Sequence, residues 1–193
     1  MPDHGRQALY DAEDLVMRLL DRSDRYPTVE IAGSTLTLPV ERHFGEIDSV
    51  QRYVDAVAGL EWVRSRWPRA AVPVAVRARQ GTARAEYLRP GAVIAVPVGT
   101  GGRGWALREL VVLHEYAHHL ASDEEQAAAA PHGAEFADRY LSLVQELIGP
   151  EAALLLQVSL ADTGWTGRTA RSRAREPADP AGLPAGWAAP SGR

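Results

Sequence analysis

The stretch HEYAHHL, residues 114–120, places three imidazoles and a carboxylate in a segment that is otherwise apolar: Leu107, Leu110, Val111, Val112, Leu113, Ala117 and Leu120 surround it. A helix that is apolar on nearly all sides is a buried helix. Burying an unpaired carboxylate and several imidazoles would cost several kcal/mol, so these residues need a partner. His114 and His118 are four apart and lie one turn above the other on one helix face, where two imidazoles can share a cation. Glu115, next to them, can reach a water on that cation. Two metal ligands with a general base beside them is the chemistry of the HExxH pattern.

A catalytic tetrahedral zinc takes three protein ligands and one water, so the spacing calls for a third ligand. The chain has no cysteine, which excludes thiolate ligands and disulfides together. His132 is the best candidate. It follows the connector HLASDEEQAAAAP and opens the next helical segment, and a helix–turn–helix return of that length can bring it back to the other pair. Glu135, one turn into that segment, and Asp123, Glu124 or Glu125 in the connector are the alternatives. Three imidazoles without a thiolate suit zinc best among the common ions.

The other polar side chains carry blander readings. His119 is turned by about 100° from His118 and is expected to pack or to support a ligand rather than bind metal. Glu135 suits a helix N-terminus, where carboxylates are favoured. Tyr116 points away from the ligand face into the core. Tyr87 reads as a half-buried strand tyrosine, with oxyanion stabilisation the alternative. Asp123 to Glu125 read as a solvated loop, and His4 and His43 are isolated.

The elements that must position these groups can be read from periodicity. Apolar residues at helical spacing, Ala8, Ala12, Leu15, Val16 and Leu19, predict a helix over about 7–21. Val29, Ile31, Leu36 and Leu38 alternate about a Gly33–Ser34 turn and predict a hairpin. Asp48 and Gln51 form a plausible capping pair for a helix that faces inward through Ile47, Val50, Val54 and Val57. VPVAVRAR, ARAEYL and AVIAVPV read as a three-strand meander punctuated by QGT and RPG. The glycine-rich GTGGRG leads into the HEYAHHL helix. A second amphipathic helix follows, with Phe136, Tyr140, Leu143, Val144 and Leu147 inward and Gly149–Pro150 as its stop. ALLLQVSLA then packs back on the core. Helices and strands are partly segregated, so the class is α+β, with a small, mostly antiparallel sheet packed on helices.

Length and composition bound the rest. With 193 residues one domain is the default, taken as 1–161. Residues 162–193 are rich in Pro, Gly, Ala and Arg, and are expected to be a disordered tail. The formal charge is -4, and all 21 basic residues are arginine. So mild a charge argues against a dedicated nucleic-acid binder, and the arginines of 168–175 read as a solvated tail. No apolar stretch approaches the roughly 20 residues of a membrane span and no signal-peptide core is present, so a cytoplasmic protein without membrane partners is expected. Oligomeric state is not legible.

HEYAHHL followed by PHGAEF resembles the zincin-type metallopeptidases of the SprT-like and related groups, in which HExxH, a variable connector and a His-Gly-x-x-Phe segment occur in that order. More narrowly, the chain is similar to a set of actinobacterial metallohydrolases that share HEYAHH and HGxEF, and GRQALYDAED and AVIAVPV fit that set as well. The broad resemblance covers 84–148 and the narrow one 5–148. It implies a zincin-like fold, Zn2+ held by His114, His118 and His132, and Glu115 as the catalytic residue. SprT-like proteases usually add a basic or zinc-ribbon element, which this cysteine-free chain lacks.

The expected activity is hydrolysis of a peptide bond in a peptide or protein substrate. The metal-bound water would be acidified toward a pKa of about 7, with Glu115 passing its proton to the leaving amine. Residues 92–98 are the expected sheet edge for a substrate strand. The competing reading is a zinc-stabilised binding module without turnover, which a fourth protein ligand such as Asp123 or Glu125 would favour.

Overall fold

The computed structural model describes residues 5–81, 84–98, 106–163 and 165. Helix α1, Arg6–Leu20, buries Leu9, Ala12, Glu13, Val16, Met17 and Leu20. The inward face is therefore rotated from the one expected: Leu15 is exposed, and a carboxylate sits inside the apolar stripe. Strands β1, Thr28–Ile31, and β2, Ser34–Thr37, pair antiparallel. Ala32 and Gly33 both take positive φ, the twist that a two-residue hairpin turn requires, so the turn lies one residue earlier than expected.

Helix α2, Ile47–Gly59, buries Val50, Val54 and Val57. Its first turn is closed by Ser49, whose Oγ donates to the Glu46 carbonyl at 2.6 Å, rather than by Asp48 and Gln51. Gln51 does other work. Its amide donates to the Val74 carbonyl at 3.0 Å and accepts from the Val76 N–H at 2.6 Å. Helix α3, Glu61–Arg66, and a 3-10 turn over Pro68–Ala71 lead to strand β3, Ala75–Arg79. Strand β4, Glu86–Leu88, follows, and a second 3-10 turn, Arg89–Gly91, returns the chain into β5, Val93–Pro97.

The three strands are not a meander. The order is β3-β5-β4, with β5 parallel to β3 and antiparallel to β4. The expected edge at 92–98 is thus the central strand, and the sheet is mixed. Composition accounts for it. From Ile94 to Pro97 every residue of β5 is buried, the near-continuous apolar pattern of a strand covered on both faces. Arg77, Arg79 and Glu86 tolerate the edges. Gln51 blunts the β3 edge by bonding its backbone, and β4 is the other edge of the sheet.

Helix α4, Glu109–His119, carries the motif and packs on α6, Ala134–Leu147, as well as on β4, β5 and α2. Its amino end is held by two buried acids. Glu41 accepts from the Leu110 N–H at 3.0 Å and pairs with the Arg108 guanidinium. Glu109 accepts from the Tyr53 hydroxyl at 2.7 Å, the Arg42 N–H at 3.1 Å and the Arg42 side chain. Carboxylates at a helix amino end offset its unsatisfied N–H groups. Among the described residues, removing Glu41 would leave the buried Arg108 with only Asp21, at 2.9 Å, as a carboxylate partner. Glu41→Ala should therefore destabilise the fold by about 3–5 kcal/mol. Denaturant melts of the two proteins check this; equal midpoints would contradict it.

The connector is not a loop throughout. Ser122 caps a short helix α5, Asp123–Ala128, by accepting from the Glu125 N–H at 3.1 Å. Helix α7, Pro150–Asp162, closes the fold against α1 and α6, and Trp165 packs on the core. The arrangement is a mixed α+β one. Among the described residues no helix is long and apolar enough to cross a membrane. The tail beyond 165, His4 and the glycine-rich link at 99–104 lie outside the described residues.

Candidate metal centre

The structure brings His114, His118 and His132 together, each offering a ring nitrogen within 4.8 Å of the others. His118 Nε2 lies 3.1 Å from His132 Nε2, which lies 3.3 Å from His114 Nε2. Two nitrogens bound to one tetrahedral zinc at about 2.0–2.1 Å stand about 3.3 Å apart, so the three rings are spaced as ligands of one ion. The helix repeat stacks His114 and His118. His132 arrives from the turn between α5 and α6, directly before Gly133, the N-cap of α6. A Cβ on Gly5 would lie 2.5 Å from the His132 carbonyl oxygen, so α1 holds that turn from the other side.

A residue with no counterpart in the sequence expectations completes the centre. Glu13 of α1 is 4% exposed, and its carboxylate lies 2.6 Å from His114 Nδ1. The Nδ1–H donates to it, which leaves the Nε2 lone pair directed at the other two rings. The Tyr140 hydroxyl lies beside Glu13 and donates to the Leu110 carbonyl at 3.3 Å. Burial pushes the Glu13 carboxyl up to about 8, against the pull of Tyr140, Arg84 and His132. Tyr10 of α1 stacks on the His114 ring at 5.4 Å, and Phe136 lies 4.3 Å from the His118 ring.

Glu115 is 5% exposed. Burial pushes its carboxyl up to about 8, Glu13 adds to this, and the Tyr87 backbone N–H bonds it and pulls the other way. Burial, with the neighbouring imidazoles, holds His118 well below its ordinary pKa, and a neutral ring is the form that binds metal. Glu115, His118 and His132 line an open cleft of about 390 Å³. His114 is buried behind them.

The alternative ligands are committed elsewhere. Asp123 pairs with Arg89, and Glu125 with Arg139 at 2.8 Å. Glu124 and Glu135 are exposed. His119 Nε2 lies 3.0 Å from the Val72 carbonyl and so carries the proton, leaving Nδ1 to accept from the Tyr87 hydroxyl at 3.0 Å. Arg69 donates to that same hydroxyl at 3.2 Å. Tyr87 and His119 are therefore locked in a structural chain, and Tyr87 turns its hydroxyl to that chain and only its backbone N–H to Glu115. His43 makes a backbone bridge with Arg108 and lies 3.7 Å from Glu41, and Tyr116 is in the core.

Glu13 offers a test of the support behind His114. Glu13→Gln keeps the shape but not the carboxyl that accepts from His114 Nδ1, and is expected to weaken metal binding by about 10–100-fold. Competition with a chromophoric chelator measures it; unchanged affinity would reduce Glu13 to a packing role.

Compared with family models, with curated proteins and with solved structures, the chain matches none.

Proposed function

We propose that the chain is a zinc-dependent hydrolase of peptide bonds with a zincin-like site. The observation that carries this reading is the convergence of three imidazole nitrogens at the floor of an open cleft, with the Glu115 carboxylate beside them. An all-imidazole donor set without thiolate fits zinc. Bound there, zinc would supply Lewis acidity toward a carbonyl oxygen and toward water.

The remaining chemistry belongs to side chains. Glu13 keeps His114 in the tautomer that offers Nε2. The Tyr87 N–H orients Glu115, which stands beside the three imidazoles in the cleft, where a carboxylate can take a proton from water and return it to a leaving amine. The edge of β4 runs along the cleft through Glu86 and Tyr87, and can receive an extended substrate.

The competing reading, a metal clamp without turnover, would be favoured by a fourth protein ligand. Asp123 and Glu125, its candidates, are held by arginines. Elemental analysis of the purified protein should find about one zinc per chain, and a peptide library should be cut by the zinc-loaded protein and spared after chelation. Stoichiometric zinc with no cleavage of any library peptide would favour the clamp; no bound metal would overturn both.

A further inference from the structure

The cleft over the histidines is lined by four arginines, Arg6, Arg79, Arg84 and Arg89, in a chain whose formal charge is -4. Two of them are matched by acids: Arg79 donates to Glu86 and Arg84 to Asp14, each at 3.1 Å. The other two have donors to spare. Arg6 lies over the Tyr10 ring at 5.6 Å, forms no ion pair with a carboxylate among the described residues, and is close enough to Glu115 and His118 for its charge to act on both. Arg89 spends one terminal nitrogen on the Ala121 carbonyl, at 3.1 Å, and on Asp123. Its other terminal nitrogen, Nη1, is buried with no acceptor among the described residues. That nitrogen is shut off from the cleft, so Arg89 acts on a ligand through its charge and the part of its side chain that lines the wall, and a planar guanidinium is shaped for a carboxylate.

We propose that the ligand of this cleft is an acidic peptide, with an Asp or Glu side chain gripped by Arg6 and Arg89. The proposal rests on the reading of the cleft as a peptide site. Arg89 begins the turn directly after β4, so a strand laid along that edge carries its side chains past it. The charge balance favours a single carboxylate over a polyanion. Glu86 and Glu115 share the walls with the arginines, and a nucleic acid would bring a phosphate against them at every step.

The test is calorimetric binding to the zinc-loaded Glu115→Gln protein. The ligands are blocked alanine-based peptides with a central Glu, Gln or Lys, and a short single-stranded DNA. The Glu peptide is expected to bind about 10–100-fold tighter than the Gln peptide, as a charge-assisted bond to a desolvated guanidinium implies. Arg6→Gln should shrink that ratio while zinc content and melting temperature hold, Arg89→Gln should shrink it with zinc content held although its bonds to Ala121 and Asp123 are lost, and Arg6→Glu should shift the preference toward the Lys peptide. Equal binding of Glu and Gln peptides, binding of none of them, a ratio untouched by every arginine variant, or DNA binding tighter than the Glu peptide would overturn the proposal. The parent protein's digest separates the two readings. Cleavage with no acidic preference sinks only this proposal, whereas acidic binding with no cleavage leaves the anion site standing and sinks the hydrolase.

Discussion

Purified Glu115→Gln protein is expected to hold the same complement of zinc as the parent and to cleave peptides about 10²–10⁴ times more slowly, the usual worth of a positioned general base. The asymmetry follows from geometry. Glu115 lines the cleft but is not among the three side chains whose nitrogens converge, so its loss leaves the ligand set intact. Glutamine keeps the volume, and its amide oxygen still accepts the Tyr87 N–H, so the strand beside it need not move. What disappears is a site for a proton. Elemental analysis and the rate for the most susceptible library peptide read the two quantities separately. A variant that cleaves as fast as the parent would remove Glu115 from the mechanism.

His132→Ala should have the opposite signature: metal and activity are lost together. If a zinc site is worth roughly 10–16 kcal/mol in total, one ligand's share makes the loss at least about 100-fold in affinity. His119→Ala is the matching control. His119 is 0% exposed and adjacent in sequence to His118, yet both its ring nitrogens serve Val72 and Tyr87. Its removal should lower the melting temperature and leave the zinc stoichiometry at one. If His119→Ala loses metal as fully as His132→Ala, the ligand assignment is wrong.

The three converging imidazoles were legible because each announces itself locally. His114 and His118 share a helical face through a spacing of four, and His132 stands at the entry of a helix whose inward residues, Phe136, Tyr140, Leu143 and Val144, are spaced for it. Glu13 was not legible. A face of α1 chosen for its apolar residues avoids an acid by construction, while the real face includes one because its partner is 101 positions away. The α+β class follows from the elements, whereas the sheet order depends on which strand is paired on both sides. A meander is the shortest connection, but burial of the Val93–Pro97 run outweighs it. The pairing of Asp123 and Glu125 with Arg89 and Arg139 likewise joins residues distant in sequence, so the connector reads as a solvated loop until the fold is known.

The bond between Glu13 and His114 also has a temporal side. During synthesis α1 leaves the ribosome long before α4 exists, and its carboxylate must wait while the hairpin, α2, α3 and the sheet are made. Only after that long loop closes, and after the turn bearing His132 has docked against Gly5, does the cage for the ion have all its walls. A metal ion would therefore be acquired by a nearly finished protein, and damage to the first helix would reach the three histidines without touching any of them.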